Sequence, residues 1–221
     1  RKVDVGSVVK RGQVLMQLDP SDLQLSQAQA KAALAAADSN LATAASLSQS
    51  DFVTLGLTAI SGDEASLLNT VISGLAPTTV DTWTELSTLA AQVGRVIGTA
   101  SSDSLSNAPS LTDLTALGVT GVTTANLAVV QQAIASATTA QVDTLSELQS
   151  VVTSAANAYT AALGTISAYA QNNGGTAPTT TTFAQAGVTG VDSGNLAAIQ
   201  SALTSSAITG TLADTTTEVQ T

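Results

Sequence analysis

The chain contains no cysteine and no histidine. Together these absences remove disulfide bonds, thiolate nucleophiles, imidazole bases and the commonest zinc ligands. Aromatic residues are almost missing as well. Two Phe, two Tyr and one Trp among 221 residues leave a core that must be aliphatic and alanine-rich. Charged residues reach only 10% against 44% hydrophobic, so the polar surface is mostly Thr, Ser, Gln and Asn. Basic residues are the scarcest of all: Arg1, Lys2, Lys10, Arg11 and Lys31 lie near the start, and only Arg95 follows. Without a basic stripe nothing neutralises phosphates, and nucleic acid is not an expected partner. The net charge of −10 favours solubility. No apolar run approaches the roughly 20 residues that span a bilayer, so no transmembrane segment is expected. The start shows neither Met nor an apolar leader with a cleavage site, and the chain is expected to be a fragment.

What is present is repetition. An offset of 62 residues places Leu55-Gly56-Leu57-Thr58 on Leu117-Gly118-Val119-Thr120 and Val80-Asp81-Thr82 on Val142-Asp143-Thr144, without a gap. An offset of 69 places Gly118-Val119-Thr120-Gly121-Val122 on Gly187-Val188-Thr189-Gly190-Val191, and Asn126-Leu127-Ala128 on Asn195-Leu196-Ala197. After a two-residue insertion Asp143-Thr144 and Glu147 return as Asp214-Thr215 and Glu218. Three diverged copies are read over 52–110, 111–178 and 179–221, the third without the rest of its last helix.

Helix signals recur inside each copy. Ser61-x-x-Glu64 is a capping box, with Thr123 and Asp192 as the equivalent N-cap candidates. A second box recurs as Thr82-x-x-Glu85, Thr144-x-x-Glu147 and Thr215-x-x-Glu218. After these starts, Leu127, Val130 and Ile134 form one apolar stripe, and Leu145, Leu148, Val152, Ala155, Tyr159, Leu163 and Ile166 form a longer one. Gly56, Gly118, Gly121, Gly187 and Gly190 are turn residues, with Gly118 suited to a left-handed helix end. Each copy therefore predicts three helices, the third the longest. Ser101–Ser110 and Asn172–Thr182 read as flexible connectors.

No catalytic, cofactor or metal site is expected. Glu85, Glu147 and Glu218 sit three residues after a threonine, which is where a capping carboxylate belongs. Asp63-Glu64 lacks the alternating oxygens and glycine of a calcium loop. The Gly118-x-x-Gly121 pattern has no strand before it and no lysine after it, unlike a phosphate loop. Trp83 stands where the second copy has Leu145 and is expected in the core.

The first fifty residues differ. Val3 to Asp19 alternates β-branched runs with Gly6 and Gly12 at turns and reads as a short β segment over 1–20. An alanine-rich helix is expected over 21–50, with Ala30, Leu34, Ala37, Leu41 and Ala44 on one face. The pattern V-D-V-G-x-x-V-K-x-G-Q-x-L-x-x-L-D-P-x-D-L resembles the first biotinyl/lipoyl half-motif of the bacterial periplasmic adaptor (membrane fusion protein) family of efflux pumps and type I secretion systems. That resemblance implies a partial lipoyl-like β segment leading into a hairpin helix. It implies no attached cofactor, since no lysine sits at the tip of a strand pair.

Residues 52–221 resemble helical repeats of large bacterial surface proteins and adhesins, which implies a spacer or adhesive role towards a protein or glycan. The expected fold is mainly α: tandem three-helix repeat modules preceded by a short β segment and an alanine-rich helix. The expected function is a non-catalytic structural or adhesive segment of a bacterial cell-surface or secreted protein. The alternative is a periplasmic adaptor with envelope transport partners.

Overall fold

The computed structural model describes residues 8, 10–12, 47–172 and 175–221. These residues are mainly helical, and no strand occurs among them. Contacts divide the chain into two units, Arg1–Ala45 and Ser46–Thr221. In the first, Arg11 and Gly12 form a turn with Gly12 at φ 84°. Gly6, nearly all of the expected β segment, and residues 21–46 of the alanine-rich helix lie outside the described residues.

The second unit repeats one order of elements. It begins with α1 (Gln49–Leu55), α2 (Gly62–Gly74), a 3-10 turn (Pro77–Thr79) and α3 (Trp83–Ser102). The order recurs as α4 (Leu111–Ala116), α5 (Leu127–Ala135), a 3-10 turn (Thr139–Gln141) and α6 (Leu145–Asn172). It recurs again as α7 (Thr180–Gln185), α8 (Leu196–Leu203), a 3-10 turn (Gly210–Leu212) and α9 (Thr216–Gln220). The start expected at residue 52 moves back, because Ser48 caps α1 through a reciprocal box with Asp51. Residues 49 and 50 therefore belong to this unit and not to the helix expected over 21–50.

Each short first helix is closed at both ends by local chemistry. Ser110 pairs with Asp113 and Thr179 with Thr182 in the same box as Ser48 and Asp51. At the far end Gly56, Gly118 and Gly187 take positive φ of 111°, 86° and 74°. The amides of Gly118 and Val119 then reach back to the carbonyls of Thr115 and Leu114, the paired bonds of a Schellman end. The same two bonds run from Gly56 and Leu57 to Val53 and Phe52, and from Gly187 and Val188 to Ala184 and Phe183. Phe52, Leu114 and Phe183 are fully buried at the foot of these ends.

The second helices start later than expected. Thr123 and Asp192 are not the N-caps: Asn126 and Asn195 precede the regular helices at Leu127 and Leu196. Thr123 Oγ1 accepts from the Asn126 amide while Asn126 Oδ1 accepts from the Thr123 amide, at 3.3 and 2.8 Å. Asp192 and Asn195 repeat this exchange. The local hydrogen bonding of these short polar side chains favours a turn over a first α-helical turn. Asn126 and Asn195 each also donate Nδ2 to the carbonyls of Gly121 and Gly190, whose φ are positive.

The long helices join the segments. Helix α3 packs on α2 and also on α5, and α6 packs on α5, α7 and the last 3-10 turn. Leu148, Val152 and Ala155 of α6 belong to one core with Phe52, Leu67 and Leu114. Tyr159, Ile166 and Ala170 of the same helix belong to a second core with Phe183 and Leu203. At a rise of 1.5 Å per residue, the 28 residues of α6 extend for about 42 Å. The described residues of the connectors between segments are held in place. Ser101 and Ser102 continue α3, Asp103 ends it at φ 48°, and Pro109 and Pro178 are buried.

Candidate functional site

The recurring carboxylates lie at helix starts. Thr82 donates its amide and hydroxyl to Glu85 Oε2 at 3.0 and 2.8 Å, and the Glu85 amide returns to Thr82 Oγ1. Thr215 with Glu218 shares the whole exchange, and Thr144 with Glu147 its hydroxyl-to-carboxylate and returning amide bonds, with hydroxyl-to-carboxylate distances of 2.7 and 2.6 Å. Ser61 and Glu64 form the corresponding box on α2. The donors at Thr82, Thr144 and Thr215 hold Glu85, Glu147 and Glu218 below the usual carboxylate range.

Two neighbours titrate the other way. Burial, and then hydrogen bonding to Glu147, pushes Asp143 up, while hydrogen bonding to Glu218 and then burial pushes Asp214 up. One carboxyl raised beside one lowered is the electronic pattern of an acid–base pair. Here the lowered member of each pair is occupied at the cap, where Glu147 accepts from the Thr144 hydroxyl and Glu218 from the Thr215 amide and hydroxyl. Among the described residues, no three His, Cys, Asp or Glu side chains gather closely enough to hold a metal ion.

Amide side chains perform the most repetitive work. Asn69 brackets the backbone of Leu47, donating to its carbonyl at 2.7 Å and accepting from its amide at 2.9 Å. At offsets of 62 and 69, Gln131 donates to the Pro109 carbonyl and Gln200 to the Pro178 carbonyl, both at 2.9 Å. Gln149 clamps both the amide and the carbonyl of Thr120, and Gln220 does the same at Thr189. Each bond closes a connector or turn onto a helix of its own segment.

Between the first and second segments lies an ion pair. Arg95 on α3 meets Asp113 on α4 through two bonds, Nε to Oδ2 at 3.0 Å and Nη2 to Oδ1 at 2.6 Å. Burial alone would raise Asp113, but Arg95 and the Ser110 amide and hydroxyl outweigh it and bring the carboxyl from 3.8 to about 2. The corresponding positions in the next pair of segments are Asn157 and Thr182, which carry no charge.

A groove of about 640 Å³ opens among α5, α6 and α7, lined by Val129, Ala133, Ala155, Ala158 and Ala184. Its origin is legible at the 62-residue offset. Leu67, Val71, Val93 and Val96 stand where Val129, Ala133, Ala155 and Ala158 stand, and all four are buried. Loss of side-chain volume at four equivalent positions leaves an apolar groove in the second interface.

No family model matches the chain, and neither a curated protein nor a solved structure matches it. The candidate surfaces therefore rest on geometry alone. Of the residues singled out in the sequence, Ser61, Glu64, Thr82, Glu85, Thr144, Glu147, Thr215 and Glu218 sit in reciprocal caps, dispersed along the unit. They do not converge on one cavity. The first-helix caps at Ser48, Ser110 and Thr179 went unread although Ser110-x-x-Asp113 obeys the rule used elsewhere. Asn69, Gln131 and Gln200 were also missed; their signal was an amide 22 residues after Leu47, Pro109 and Pro178. Trp83 is not in the core: half of it is exposed. Its position opens α3, where the ring lies over Gly56 instead of facing inward.

Proposed function

We propose that residues 47–221 are three stacked copies of one helical module, forming a non-catalytic structural or adhesive segment of a bacterial cell-surface or secreted protein. The supporting observation is the recurrence of one hydrogen-bond set at fixed offsets: the first-helix cap, the Schellman glycine, and the amide of Asn69, Gln131 or Gln200 held on the backbone before that cap. Such a set specifies a unit that stacks, since each copy buries apolar surface against its neighbour. The polar side chains that recur are consumed in holding the unit together. A hydroxyl-rich, sparsely charged and mildly acidic exterior suits a spacer or a face presented to a protein or glycan.

The test is location. Antibodies raised against residues 47–221 should label intact cells of the source organism, and external protease should remove the label. Confinement of the antigen to the cytosolic fraction would refute the surface reading. Among the described residues no helix is long and apolar enough to cross a membrane.

A further inference from the structure

The groove among α5, α6 and α7 lies wholly within the second unit, and its walls have exact counterparts one copy earlier. Between the first and second copies Leu67, Val71, Val93 and Val96 fill that place, none more than 1% exposed. Their equivalents Val129, Ala133, Ala155 and Ala158 lack one carbon at the first position and two at each of the others, seven in all. The facing wall compensates only at its exposed edge, where Gln185 replaces Ala116. Deeper in, Ala184 replaces Thr115, and Phe183, although larger than Leu114, is buried in the second core outside the groove.

Such a deficit is ordinarily reduced by neighbouring elements moving together. Here they are pegged in place. Thr216 donates its hydroxyl to the Ala186 carbonyl at 2.6 Å and lies 3.1 Å from Tyr159 Oη. Ser167 donates to the Gly210 carbonyl at 2.8 Å, and Gln171 accepts from the Gly210 amide at 3.0 Å. These bonds fix α6 on the third copy, while Val129 already stands against Gly187, 3.3 Å from the place of an added Cβ. The groove is therefore preformed, as ligand sites commonly are.

Shape and chemistry select the occupant. The lining along α5 runs from Ala128 to Ser136, about 12 Å at 1.5 Å per residue, which suits an extended chain better than a compact ring. No lining residue is charged, so a charged head of either sign would leave water for a wall without a counter-ion. Gln132, Ser136 and Gln185 instead offer exposed amides and a hydroxyl to a neutral head. We propose that the groove binds an uncharged single-chain amphiphile, an unbranched alkyl chain of about eight carbons with a hydroxyl or similar neutral head. The chain takes the space that seven side-chain carbons occupy in the copy before. The proposal uses the register of the repeat and is independent of cell-surface location.

The test is a titration of the full chain, carbon-13 labelled at its alanine methyls, with unbranched butanol, hexanol and octanol. Octanol should shift Ala133, Ala155, Ala158 and Ala184 saturably, with a Kd on the order of 0.3 mM. Ala65 and Ala100, in the first core, should not move. Each added methylene should tighten binding about three-fold, and octanoate should bind about ten-fold more weakly than octanol or worse. Ala133→Val and Ala158→Val each restore the residue of the copy before and should weaken octanol about ten-fold. Circular dichroism confirms that each variant folds, and either one suffices. Absence of saturable shifts, an affinity indifferent to chain length, equal binding of octanoate, or undiminished binding by a folded variant would overturn the proposal. So would shifts of the same methyls on raising protein concentration alone, which would assign the groove to a second copy. Failure on any of these counts leaves the surface reading standing, because antibody labelling of intact cells tests that separately.

Discussion

Leu55 and Leu117 share a place in the repeat and differ in burial, so truncating each to alanine compares one position in two environments. Leu117 is fully buried, and its replacement removes buried methyl groups and leaves a void. Such changes cost about 2–5 kcal/mol, and about 3 is expected here. Leu55 keeps 52% of its surface in water, so its truncation forfeits part of the transfer free energy and encloses no cavity. About 1 kcal/mol or less is expected there. Both side chains sit at the end of a first helix, so the change in helix propensity largely cancels in the comparison. With a urea slope of about 2 kcal/mol per M, the midpoint should fall by roughly 1.5 M for Leu117→Ala and 0.5 M or less for Leu55→Ala. The assay is urea unfolding followed by circular dichroism at low micromolar protein, below any self-association. Equal midpoint shifts would refute the reasoning, since the burial of Leu117 would then owe nothing to the copy before it.

The Asp113 carboxyl, held at about 2 against 3.8 for the ordinary group, stabilises the fold fully above pH 4. That contribution, about 2.5 kcal/mol, is lost as the pH falls from 4 through 2. Asp113→Asn should remove it, so wild-type and variant stabilities measured by urea titration should converge towards pH 2. Glycines at two kinds of site should respond oppositely. Gly98 lies inside α3 with open space around a new Cβ, and Gly98→Ala should stabilise by about 0.5–1 kcal/mol. Gly118 would bring a new Cβ only into ordinary contact with Leu145 but has φ of 86°, so Gly118→Ala should cost about 1–2 kcal/mol, read as a lower Tm. Filling the groove with Ala133→Val, which restores the residue at position 71, should raise stability by about 1 kcal/mol in urea titration.

The mainly helical character was legible because capping boxes and apolar stripes are local signals. Ser61-x-x-Glu64 and Thr82-x-x-Glu85 need only three residues of context, and Leu148, Val152, Tyr159 and Ile166 need only one period. What escaped depended on contacts between segments. Trp83 reads as a core residue because the apolar Leu145 stands at the same place in the next copy; nothing local reveals that half of the ring stays exposed. The connector at Ser101–Ser110 reads as flexible because Ser, Asn and Pro crowd it, yet Gln131 fixes the Pro109 carbonyl from 22 residues away. The helix start expected at Thr123 falls at Leu127 instead, because Asn126 ties itself to the Thr123 amide and to the Gly121 carbonyl and holds the segment between them as a turn. Where Asp113 meets Arg95, the sequence shows a lone cation and a capping acid and gives no hint that they belong together.

Because α6 contributes one half of its length to each of two cores, the unit has no seam at which a single copy can be lifted out whole. Its natural quantum of change is instead a phase. A recombination event that removes one full period, starting anywhere between Gln49 and Ser110, joins part of one repeat to the matching remainder of the next. Whichever point is chosen, every surviving helix still meets a neighbour of the kind it met before. Such a lineage can lengthen or shorten by whole periods, and the breakpoints need not respect any boundary visible in the folded chain.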